Sequence, residues 1–140
     1  MDVAPFSGAA AAVSDTALQR TGDVTVTPDG LAFGHGMNVS TETLGARDGA
    51  SVIASGGPAY QDMAPDIADI ELRWIGSVSA MGEGAATPSL CADDAIAHYV
   101  ALMRDGDGSH LFLAVFSGDD EPGPAASDSA VCGAYAYEIE

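Results

Sequence analysis

Apolar and polar residues alternate with a period of two along most of the chain, the spacing of strands that bury one face and solvate the other. Val24 and Val26 alternate with Asp23, Thr25 and Thr27, and Pro28-Asp29-Gly30 then supplies turn chemistry. The return strand sets Leu31, Phe33, His35, Met37 and Val39 on one face, with Ala32, Gly34, Gly36 and Asn38 opposite. Ser51 to Ser55 predicts a short strand ended by Gly56-Gly57-Pro58. Ile67 to Ala80 predicts a long one, with Ala68, Ile70, Leu72, Trp74, Gly76 and Val78 turned inward. Asp69, Glu71, Arg73, Ile75 and Ser77 then face solvent.

Ile96 to Arg104 and His110 to Ser117 read as a second hairpin, joined by Asp105-Gly106-Asp107-Gly108-Ser109. The alternation and the turn outweigh the helical preference of Ala95, Ala97 and Ala101. Val131, Gly133, Tyr135, Tyr137 and Ile139 finish the chain as a terminal strand. One segment departs from this period. Ser14 as N-cap, Asp15 in the first turn, Arg20 in the last and Gly22 beyond predict a short helix lidding the end of a sheet. These elements predict an all-β fold, a single small antiparallel β-barrel or sandwich of six to eight strands with one short N-terminal helix. Residues 1–13 read as a flexible N-terminal tail and 14–140 as a single β-rich domain.

Composition narrows this picture. Alanine fills 26 of the 140 positions, so the apolar fraction of 47% hides a thin core, sufficient for one domain. Against 21 acidic residues stand four arginines, Arg20, Arg47, Arg73 and Arg104, and the net charge is −17. Nucleic-acid binding needs clustered cations that this chain lacks, and anionic membranes repel it. No apolar run is long enough for a membrane-spanning helix. The charge itself has two readings: an acidic surface suited to a salty milieu, or one that attracts a cationic partner.

Cys91 and Cys132 form no CxxC and cannot make a zinc site unaided. Both fall at predicted strand edges, so a disulfide is expected, closing a loop of about 40 residues and contributing ~4 kcal/mol. That chemistry belongs to oxidising compartments, which makes the expected location periplasmic or secreted in a bacterium. Residues 1–12 carry no basic segment ahead of the alanines and do not read as a signal peptide.

Candidate chemistry is sparse. Asp105 and Asp107 open like a calcium loop, but His110 stands where glycine is required and Phe116 where a bidentate Glu is required. A weak surface cation site is all they support. His35, His98 and His110 lack metal-ligand spacing. Asp62, Asp66 and Asp69 lie close in sequence, as a carboxylate-based hydrolase would use them. No GxSxG, phosphate loop or dinucleotide fingerprint occurs, and no cofactor is expected. Asn38-Val39-Ser40 is a glycosylation sequon only in a eukaryotic secretory host.

Three functions follow as expectations. The first is a non-enzymatic exported β-domain that binds a partner, a basic protein, through its acidic surface. The second is a lipocalin-like carrier whose small apolar ligand sits among His35, Met37, Trp74 and Phe112. Tyr135 and Tyr137 are further candidate ligand contacts, or interface anchors where their face is exposed. The third is the hydrolase.

Overall fold

The computed structural model describes residues 8–15, 17–27, 29–34, 36–47, 49–55, 59–62, 67–80, 91, 97–106, 108–117, 121–123, 126 and 131–139, excluding the side chains of 20, 68 and 78–80. Eight strands run β1 (Gly8–Ala12), β2 (Val24–Thr27), β3 (Gly30–Phe33), β4 (Met37–Ala46), β5 (Ile67–Ala80), β6 (Tyr99–Asp105), β7 (His110–Phe116) and β8 (Val131–Ile139). Each pairs antiparallel with the next, and β1 pairs with β8 (Ala10 opposite Ile139, Ala12 opposite Tyr137), so the sheet closes into a barrel. The fold is all-β, and of the two expected architectures it is the barrel.

Three local expectations are corrected. The return strand 31–39 is two strands, because the chain reverses between Phe33 and Met37. Gly36 sits at φ 96°, a conformation open to glycine, and its N–H donates to Phe33 O at 3.0 Å. The alternation misled because Leu31, Phe33, Met37 and Val39 all point into the barrel from either side of that turn. Residues 8–12 are a barrel strand rather than part of a flexible tail. Their alanines show no period and little strand preference, and pairing on both sides holds them instead. Ser51 to Ser55 forms no strand, only a single bridge from Val52 to Ala59.

The expected N-terminal helix is not found as an α-helix. Ala17–Thr21 make one wide π-type turn, closed by Gly22 N–H to Ala17 O at 2.7 Å. Ser14 does act as its cap, its hydroxyl accepting from Ala17 N–H at 3.2 Å. Ala17 and Thr21 of this turn are buried, whereas Val13 and Leu18 are exposed.

The barrel is apolar on both sides of its wall. Inside lie Val24, Phe33, Val100, Leu102, Leu113 and Tyr137 among others. Outside, Ile70, Leu72, Met103 and Phe116 form a second cluster, covered by Ile53 and Tyr60 from the β4–β5 connection. That cover is tied down by Gly123 N–H to Ile53 O at 2.9 Å and Ser55 N–H to Ala126 O at 3.0 Å. Burial of each large side chain contributes about 1.5–3 kcal/mol, so the cover adds real stability to a thin interior.

The faces of β5 are therefore reversed from expectation. Glu71, Arg73 and Ile75 point into the barrel, and Ile70, Leu72 and Trp74 point out. A period of two marks a strand but not which side is inside when both sides are covered. Charges look solvated in sequence, yet Glu71 and Arg73 neutralise each other at 2.9 Å. The expected Cys91–Cys132 disulfide is present, with the Cα atoms 4.7 Å apart, and Cys91 belongs to the interior cluster.

Candidate functional site

The expected ligand-lining residues do not all share one space, although Phe112 and Tyr135 border one groove. Met37, Tyr135 and Tyr137 are buried inside the barrel. Phe112 lies on the outer wall, and Trp74 is exposed there at 43%. His35 lies outside the described residues. The scatter follows from the reversal of β5 and from the turn between Phe33 and Met37.

Side chains occupy the interior itself, as the width of an eight-stranded barrel allows. At one end Thr21 and Tyr137 share a hydroxyl–hydroxyl bond of 2.7 Å, and Thr21 also donates to Ala17 O or Gly22 O. Burial drives the Tyr137 pKa far above the ordinary value, the Thr21 bond opposing it. Nearer the other end Arg73 is fully buried, Nη1 donating to Thr27 O at 2.7 Å and to Thr41 Oγ1 at 3.2 Å, Nη2 facing Glu71. One arginine thus pins the β2–β3 turn and β4 to β5. The sequence hides this network, because nothing local distinguishes Glu71 and Arg73 from solvated charges.

The acidic turn after β6 is occupied by its own donors. Asp105 Oδ1 accepts Ser109 N–H at 2.9 Å and His110 N–H at 3.2 Å. Its Oδ2 lies 3.2 Å from Ser109 Oγ and 3.0 Å from His110 Nδ1. Desolvation raises the Asp105 pKa, but the combined bonds from His110 and Ser109 outweigh it and hold the carboxyl down at about 2. Both oxygens are engaged in ordering the hairpin, which leaves the weak cation reading without open ligands at Asp105. Asp107 lies outside the described residues.

The trio is also no catalytic triad. Serine and aspartate both approach Nδ1 of His110, whereas a triad needs one on each ring nitrogen. Among the described residues no group of three or more His, Cys, Asp or Glu is placed to hold a metal. The grouped aspartates work separately: Asp62 accepts Ala59 N–H at 3.0 Å, and Asp69 pairs with Arg104 at 2.9 Å. Asp66 lies outside the described residues.

Among the described residues the outer wall carries two open features. A groove of about 200 Å³ lies over β6–β8, bordered by Ser14, Met103, Phe112, Ala134, Tyr135 and Ala136 among others. It is smaller than the ~300–1,000 Å³ typical of small-molecule pockets, so it suits one side chain. His110 stacks on Phe112 at its margin, ring centroids 6.2 Å apart.

The second feature is Trp74, in register with exposed Glu42 on β4 and half-buried Tyr99 on β6. Its indole leans over Gly76, where a Cβ would stand 3.4 Å from the ring. The cover that buries Ile70 and Leu72 does not enclose Trp74. Sequence reasoning missed Glu42 and Tyr99; only strand register brings them beside the tryptophan. Comparison with protein-family models, curated proteins and solved structures finds no match to this chain.

Proposed function

We propose that this protein is a non-enzymatic binding domain of an oxidising compartment, periplasmic or secreted, which engages a basic protein through the outer wall of its barrel. The observation that carries this reading is the fate of its cations. Arg47 pairs with Glu121, Arg73 with Glu71 and Arg104 with Asp69, so three of four arginines are held by acids of the same chain. The remaining acids act on the surroundings with little internal compensation, and a field of net charge −17 draws a cationic partner in. Among the described residues the inward side chains pack into one apolar cluster, which favours the outer wall over an enclosed ligand site. The disulfide supports the compartment.

Titration calorimetry with hexa-arginine peptide tests the reading. The affinity should fall at least about tenfold between roughly 0.05 and 0.5 M salt. Affinity that ignores salt, or no binding at low salt, refutes it. Fractionation of the native host should find the chain exported and without free thiols.

A further inference from the structure

We infer that Trp74, Glu42 and Tyr99 form a seat for an arginine side chain of that partner. This rests on the proposed binding of a basic protein and adds where its central contact falls.

Trp74 is the single tryptophan of the chain and stays 43% exposed on a strand whose other large outward residues, Ile70 and Leu72, are covered. Directly opposite it on β4 stands exposed Glu42, and on β6 stands Tyr99. In-register neighbours on one sheet face bring their Cβ atoms to about 4.5–5.5 Å. A planar cation laid on the indole therefore has a carboxylate within reach on one side and an aromatic ring on the other. Guanidinium matches this set better than ammonium, because it stacks on the ring while its edge donates twice to a carboxylate.

The chain's own cations do not fill the seat among the described residues. Arg73, adjacent to Trp74, is buried on the opposite face. Arg47 and Arg104 are held by Glu121 and Asp69. An exposed tryptophan beside an exposed acid complements a basic protein in charge, and aromatic residues are typical interface anchors.

Emission from Trp74 reads the site directly, since no other tryptophan contributes. Hexa-arginine should shift or quench it, and the uncharged hexa-citrulline should not. By calorimetry at about 0.15 M salt, Trp74→Ala should weaken hexa-arginine binding about fivefold and Glu42→Gln about threefold. Glu138→Gln, an exposed acid on β8 three strands away, should change it by no more than about 1.5-fold. Equal losses in Glu42→Gln and Glu138→Gln, or calorimetric binding with silent Trp74 emission, overturn the seat while leaving the basic partner in place. No binding of hexa-arginine at low salt overturns both. Emission that shifts with protein concentration alone assigns the seat to a second copy of the chain and also overturns the inference.

Discussion

Replacing Arg73 with methionine isolates what a single buried cation contributes to this barrel. Arg73 is wholly inaccessible, and the Glu71 side chain opposite it is only 5% exposed. The substitution leaves that carboxylate buried without its cation. It also takes the 2.7 Å donor from Thr27 O and the 3.2 Å donor from Thr41 Oγ1. Breaking a buried pair from one side costs about 3–5 kcal/mol, and each stranded acceptor about 1–3 kcal/mol. These costs overlap, so the expected loss is ~4 kcal/mol. With a urea dependence of about 2 kcal/mol per molar, the unfolding midpoint falls by roughly 2 M.

The double variant Arg73→Met/Glu71→Leu removes both charges at nearly constant volume. It should recover to within about 1–2 kcal/mol of the parent, since a well-packed apolar pair can replace a buried ionic one. The assay is urea unfolding under non-reducing conditions, followed by circular dichroism and Trp74 emission. A single variant costing under ~1 kcal/mol, or a double variant no better than the single, refutes the network as the clamp between β5 and the β2–β3 turn.

Four further outcomes are expected. The chain unfolded without reductant should titrate no thiol, and Cys91→Ala/Cys132→Ala should lose ~4 kcal/mol because the bridge spans 41 residues; an unchanged urea midpoint refutes this. The Tyr60 hydroxyl is buried without a hydrogen-bond partner among the described residues, so Tyr60→Phe should be neutral or stabilising by up to ~1 kcal/mol, and a clear loss of stability in urea contradicts it. Burial pushes the Tyr60 pKa up to about 12, with Arg47 opposing and Glu121 assisting, so stability holds below pH 10 and falls from 10 to 12 as the unfolded tyrosine ionises; Tyr60→Phe should reduce that fall in an alkaline urea series, with buried Tyr137 keeping the remainder. Asp105, held at about 2, contributes stability that is complete above its ordinary pKa and lost as the pH falls from about 4 to 2; Asp105→Asn should flatten that limb, and an unaltered acid profile contradicts it.

How far the residues disclose this fold depends on whether one side of a strand is wet. In β6 and β7 the alternation and the Gly/Asp turn give the pairing to within a few residues. For β5 the bounds Ile67–Ala80 are readable from the pattern, but its faces are not, because Ile70 and Leu72 are buried outside as firmly as Ile75 is inside. Alanine carries too little signal to mark β1, which only its neighbours on both sides stabilise. Cys91 and Cys132 are readable as a bridge from their number and their place at predicted strand edges. The Trp74 seat is not: Glu42 and Trp74 are 32 positions apart, and their meeting depends on the register of β4 between two irregularities in its pairing.

The seam between β1 and β8 also governs how the molecule matures. Ala10 and Ile139 lie almost a full chain length apart, so their pairing is the most non-local contact in the sheet and the costliest in loop closure. Until it forms, β1 and β8 present two open edges. Each can accept a strand from another copy just as readily as its own partner. A nascent chain is therefore most vulnerable to swapping and aggregation in the interval before five small residues near its beginning dock beside its last strand.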